Sequence, residues 1–227
     1  SYIAILTVSE VPLSSIPVMA LACNLIVSGQ GSLVVRQAGY LEGALLGPLL
    51  LGSIPAAFLG GAWRMDTGLF LWFLASSLTL AGIALMVPVP SPGTVTRSIP
   101  FKWLLVLGVC LGALAGVSGI GGGIFLAPAL HLARAGKAQS IAGASSLFIA
   151  MNSLAGLLGQ LTKGVVIFGY IPTYLLVLCP AAVWLGGLLG STMLAGRIAP
   201  GTIRFLTGGL VCLAGLRLWM RLIHESD

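Results

Sequence analysis

The stretch Gly116-Val-Ser-Gly-Ile-Gly-Gly-Gly-Ile-Phe-Leu-Ala-Pro128 lies inside an apolar run from Trp103 to Leu132 and gathers five glycines and a serine into eight residues. Each glycine in a helix interior costs roughly 1 kcal/mol relative to alanine, so the four glycines between 119 and 123 predict a break in the helix. A break frees N–H groups that hydrocarbon cannot satisfy, and it must therefore face protein or a water-filled cavity. Broken helices at membrane depth are where secondary transporters hold their substrates, with half-helix N-termini aimed at anions. Successive N–H groups with a hydroxyl beside them form a nest for oxyanion oxygens. Ser118, Gly119, Gly121, Gly122 and Gly123 are the candidates for that nest.

Working outward, the composition fixes the class. The 227 residues are 58% hydrophobic and 7% charged, whereas a soluble domain carries about 25% charged residues. Such a chain cannot cover its surface with polar groups, which makes it an integral membrane protein in contact with the lipid bilayer. The apolar runs are too long for barrel strands and lack a period of two, so the fold is all-α and polytopic. The net charge of +6 comes from eleven basic residues placed singly or in pairs at the ends of apolar runs, a membrane-topology pattern and not a nucleic-acid surface. Cys23, Cys110, Cys179 and Cys212 are far apart and show no metal-ligand or disulfide spacing. No cofactor is indicated.

Spans are expected at Ile16–Val35, Ala44–Ala62, Gly68–Val87, Ser140–Leu161, Val166–Leu194 and Ile203–Met220, each about one bilayer crossing or more. Tyr2–Val8 is too short to span. The only long polar linker surrounds residues 89–102, which divides the chain into a first membrane repeat (1–88), a second (103–223) and a short tail (224–227).

The two parts repeat. Pro55-Ala-Ala-Phe-Leu-Gly-Gly61 matches Pro180-Ala-Ala-Val-Trp-Leu-Gly-Gly187, and Leu80-Ala-Gly82 matches Leu213-Ala-Gly215, with Arg64 and Arg197 at the same spacing. Gly39-Tyr40 matches Gly169-Tyr170. Ala20–Ser28 matches Ala142–Ala150, which sets Gln30 opposite Asn152. This register would place the counterpart of Gly116–Gly123 ahead of Ser1, so further residues are expected there. If the broken segment dips in and returns, seven basic residues (36, 97, 102, 134, 137, 197 and 204) share one side and four (64, 163, 217 and 221) the other. That split fits the positive-inside rule better than six to five. It leaves three true spans per repeat, which makes the repeats inverted.

Gly119-Ile-Gly-Gly-Gly123, the apolar stretch to Pro128, Ala142-Gly-Ala-Ser-Ser-Leu147 and the duplication together resemble the sulfite exporter TauE/SafE family. The resemblance covers nearly the whole chain and implies transport of sulfite, sulfonates or related sulfur-containing anions, usually across the bacterial inner membrane. The residues alone reach only a carrier of a small anion.

Other readings stand beside this one. Small residues at spacing four also serve close helix packing, but that does not account for three contiguous glycines. Ser145, Ser146 and Asn152, with Asn24, Ser28 and Gln30 in the first repeat, read singly as interhelical hydrogen-bond partners. As a set placed alike in both repeats, they read as the lining of a substrate site. His131 is a candidate for proton coupling, weighed against a place at the interface near Arg134. Gly116-Val-Ser-Gly119 resembles the GxSG of rhomboid intramembrane proteases, but that chemistry needs a histidine base on another helix, and the chain offers only His131 and His224. The expected protein is no enzyme. An anion channel and a structural membrane subunit are the remaining alternatives. Gly122→Leu is expected to abolish anion binding and leave the fold intact.

Overall fold

The computed structural model describes residues 16–37, 39, 43–86, 99–119, 121–136, 138–163, 173–193 and 200–226. Tyr2–Val8, most of the linker, Gly169-Tyr170 and Ile120 lie outside the described residues. Within them every regular element is a helix. In chain order these are α1 (Ile16–Gln37), α2 (Gly43–Ala62), α3 (Thr67–Met86), α4 (Phe101–Ser118), α5 (Gly123–Leu132), α6 (Ala138–Leu161), α7 (Thr173–Met193) and α8 (Pro200–Ser226). Four of them, α2, α3, α4 and α6, are long and apolar enough by themselves to cross a membrane. The polar residues inside α1 do not interrupt it, whereas the glycine run ends α4 at Ser118 and restarts a helix at Gly123. The expected break is where the glycines put it.

The centre of the bundle is built by glycines that let backbones touch. Gly108 of α4 lies against the Leu49 carbonyl of α2, Gly112 against Ser53 and Gly116 against Ala57. Both chains advance by four residues in the same direction, so α2 and α4 run parallel. From the other side, Gly52 meets Leu105 and Val109, and Gly60 meets Ala113. Without a hydrophobic drive between helices in lipid, this close backbone approach is the main source of cohesion. Gly61 and Gly159 extend it to α6, where Gly61 meets Gly156 and Gly159 meets Phe58. Gly108, Gly112 and Gly116 thus follow the packing reading of small residues at spacing four.

Around this centre α1 runs antiparallel to α6, with Gly31 beside Ser146 and Leu21 beside Gly156. Helices α3 and α8 also cross antiparallel. Gly82 meets the Cys212 amide and the Gly208 carbonyl, while Gly215 meets the Thr79 amide and the Ala75 carbonyl. Trp72 stacks edge-on against Trp219, ring centroids 4.6 Å apart.

Two apolar cores result. One joins Met19 and Ala20 of α1 to Leu71, Leu74 and Leu78 of α3 and Val211 and Leu218 of α8. The other joins Leu45, Leu46 and Leu49 of α2 to Leu104 and Leu111 of α4, Leu126 and Leu130 of α5, and Ile141 and Phe148 of α6. Large apolar side chains that point outward, such as Leu51, Leu59, Leu80, Ile83 and Leu213, are exposed and face lipid. Exposed Trp103 stands in the first turn of α4 and exposed Trp63 just past the end of α2. The parallel register puts these indoles at opposite ends of the pair. Since α2 has 20 residues and rises about 30 Å, they are spaced as anchors at two membrane interfaces.

Candidate functional site

The chain reverses between Ser118 and Gly123. Gly119 closes α4 in the left-handed conformation (φ +73°), donating its N–H to the Ala115 carbonyl at 3.0 Å. Gly121 (φ +82°) and Gly122 (φ +67°) follow in the same region, which side-chain-bearing residues rarely adopt. Space enforces the choice as well. A Cβ on Gly122 would stand 2.8 Å from the Leu111 carbonyl, and one on Gly121 would stand 3.0 Å from Asn24 Nδ2 and from Ile149. Gly122 therefore lies back beside Leu111 and Ala115, two turns before the end of α4, and α5 starts alongside the middle of α6 at Phe148 and Ile149. With its ten residues, α5 rises about 15 Å, half a bilayer core.

This contact corrects one expectation. A leucine at Gly122 would be driven into the backbone of α4, so that substitution breaks the hairpin instead of sparing the fold.

The described residues of the turn, Ser118, Gly119, Gly121, Gly122 and Gly123, are all buried. Its hydrogen bonds are nearly all local. Gly123 N–H donates to Gly121 O (2.8 Å), and Phe125 and Leu126 donate to Gly122 O. Among the described residues, the adjacent N–H groups of Gly121 and Gly122 donate to no backbone carbonyl. They sit at the positive end of α5. Two neighbouring buried N–H groups that no described backbone carbonyl takes up are open to a side-chain or ligand acceptor.

Asn24 of α1 holds the turn from outside, its Nδ2 donating to Gly119 O at 2.9 Å. From α6, Ser145 lies next to Gly123. Asn152 shares a helical face with Ile149 and Gly156, which touch Gly121 and Gly116 respectively. Asn152 Nδ2 donates to Phe148 O at 2.8 Å, which folds the carboxamide back toward the level of the turn. Its Oδ1 and the Ser145 hydroxyl are buried with no partner among the described residues. Ser118, also in the turn, donates its hydroxyl to Leu114 O at 2.6 Å.

The remaining candidates go elsewhere. Ser146 donates to the Ser28 carbonyl (3.1 Å) and Ser28 to the Asn24 carbonyl, so this pair joins α1 to α6 beside the turn. Gln30 approaches α7, with Oε1 about 3.0 Å from where a Cβ on Gly187 would stand. His131 is in the last turn of α5, at the end remote from the glycines.

One residue was not anticipated. Gln160, 2% exposed, donates from Nε2 to Gly116 O at 3.2 Å. It continues the face that carries Ser145, Ile149, Asn152 and Gly156, and that spacing was the available signal. Beyond the end of α6, Arg64 Nη2 donates to the Lys163 carbonyl at 3.0 Å. Burial first and the Arg64 guanidinium second hold the Lys163 ammonium below its usual pKa.

The family profile for "Sulfite exporter TauE/SafE" matches residues 2–218. A curated bacterial relative, the "Probable membrane transporter protein y4hK" of Sinorhizobium fredii, is 26% identical, covering 96% of this chain and 87% of its own. No solved structure matches. An all-helical membrane bundle, a hairpin broken at membrane depth and a profile match along nearly the whole chain agree: this protein belongs to the sulfite exporter TauE/SafE family of membrane transporters.

Proposed function

We propose that the protein is a secondary carrier that moves a small sulfur-containing anion, such as sulfite or a sulfonate, across the bacterial inner membrane. The observation that carries this reading is the pair of buried N–H donors at Gly121 and Gly122, at the N-terminus of a half-length helix that starts at the middle of the bundle. Backbone donors suit a carrier because they bind an oxyanion without the deep trap a buried lysine or arginine would make. Asn24, Ser145 and Asn152 complete the wall of the site, with Ser28 and Ser146 behind it.

The two repeats are read as inverted. The match of Leu80-Ala-Gly82 with Leu213-Ala-Gly215 pairs Thr79 with Cys212 and Ala75 with Gly208. The α3–α8 contacts are reciprocal under that pairing, as an approximate two-fold axis requires. The α4–α5 hairpin is read as re-entrant. Alternating access would then arise from movement of one part of the bundle against the other about the hairpin.

The test is thermal stabilisation of the purified protein by a panel of sulfite, thiosulfate, sulfate, an alkyl sulfonate, an aryl sulfonate, acetate and chloride. A ligand of the folded state raises stability by mass action. A shift by sulfur anions and none by acetate or chloride supports the reading, and no shift by any anion rejects it. Trans-stimulated uptake into liposomes separates a carrier from a channel, since only a carrier exchanges.

A further inference from the structure

We infer that Asn152 makes this site selective for anions that carry a hydrogen-bond donor of their own, either a proton kept on the oxyanion or a hydroxyl or amine on an organic sulfonate. The inference rests on the anion site proposed above and adds the class of anion it takes.

The carboxamide is wholly buried, and both of its ends are assigned by what surrounds them. Nδ2 donates to the Phe148 carbonyl, so the other end is the oxygen, an acceptor and nothing else. That oxygen accepts from no group among the described residues. A neutral buried acceptor is expensive to leave unmet where water is scarce. It lies on the face of α6 whose neighbours Ile149 and Gly156 touch the hairpin, drawn toward the Phe148 level where Gly121 and Gly122 turn.

The chemistry of the two walls is complementary. Gly121 and Gly122 present N–H groups, which any oxyanion satisfies with its lone pairs. Asn152 Oδ1 presents lone pairs of its own, and a fully deprotonated oxyanion can only repel them. An anion with an O–H or N–H meets both walls at once. The Ser145 hydroxyl, buried and unpartnered as well, donates or accepts as needed and does not discriminate. Being uncharged, Asn152 selects without adding negative charge against the substrate. Sites built around a hydrogen bond to a substrate reject the analogue that lacks it far more strongly than apolar pockets reject a shape.

The experiment compares 2-hydroxyethanesulfonate with 1-propanesulfonate, which have the same shape and differ by a hydroxyl in place of a methyl. It also compares sulfite over a pH series with sulfate. Wild-type protein and Asn152→Leu are followed by thermal stabilisation titrated to an affinity. Leucine nearly matches asparagine in volume and removes only a bond within α6, so the variant is expected to fold.

The expected result is a preference of about tenfold or more for the donor-bearing anion in the wild type, abolished in Asn152→Leu. A preference in the sulfonate pair places the donor on the organic chain. One that grows as sulfite gains its proton places it on the head. If the wild type binds both sulfonates equally and sulfite without pH preference, or if Asn152→Leu keeps the preference, the inference is overturned while the anion site stands. If no sulfur anion binds the wild type, the site reading itself fails and the inference with it.

Discussion

The Asn24 carboxamide on α1 donates to the Gly119 carbonyl at the end of α4, 2.9 Å away and 95 positions along the chain. That bond secures the last turn of α4 before the chain reverses, and it ties α1 to the hairpin. Asn24→Leu removes the donor and leaves a carbonyl unmet at membrane depth, a cost of about 1–3 kcal/mol. The variant is expected to melt earlier and to bind anions more weakly than Asn152→Leu does. Wild-type melting and affinity in Asn24→Leu would show that the bond does not support the site.

Gly112 and Gly116 offer a sharper contrast with open glycines. A Cβ at either would collide with the backbone of α2, whereas Gly47 and Gly209 have nothing within 4 Å of a Cβ. Gly116→Leu is expected to cost at least about 3 kcal/mol, in the upper range for forced overpacking. Gly47→Ala and Gly209→Ala are expected to be neutral or to stabilise by up to about 1 kcal/mol through helix propensity. Melting temperatures in detergent decide between these outcomes.

If the α4–α5 hairpin is re-entrant, its two flanks lie on one side of the membrane. In a cysteine-free background, cysteines at Lys102 and Arg134 are expected to react with an impermeant maleimide from one side of sealed vesicles. Cysteines at Arg64 and Lys163 are expected to react from the other. Labelling of Lys102→Cys and Arg134→Cys from opposite sides would mean that the segment crosses fully.

Lys163 gives a pH signature. Its ammonium is held below the usual 10.5 by burial and by Arg64. Between the lowered folded value and 10.5 the unfolded chain binds more protons, so stability rises with pH through that window. Relative to Lys163→Gln, the wild type is expected to gain stability as pH climbs toward 10.5. The gain is expected to be small because the group is only partly buried. An equal pH slope in both proteins would remove this assignment.

The break, the helical class and the family resemblance were legible because glycine and apolar runs act locally: the conformation they demand does not depend on what lies opposite. Gly119, Gly121 and Gly122 were readable for that reason. The partners of Gly108, Gly112 and Gly116 were not, since spacing four announces a close approach without naming the helix that makes it. Asn24 illustrates the same limit. The sequence suggested an amide lining a site, and only the three-dimensional arrangement shows it spent on a carbonyl of the turn. Gln160 was overlooked because a glutamine one turn from a lysine reads as a solvated helix end, although it is buried against Gly116.

Interlocked glycine faces also limit how the protein can move. Where Gly108, Gly112 and Gly116 seat against Leu49, Ser53 and Ala57, a slide of one or two ångströms would jam side chains of one helix into carbonyls of the other. The pair behaves like meshed teeth: it travels as a single solid piece or jumps by a whole turn, about 5.4 Å. Any alternating-access movement is therefore expected to leave this seam shut and to flex where fewer residues meet, as between α1 and α7.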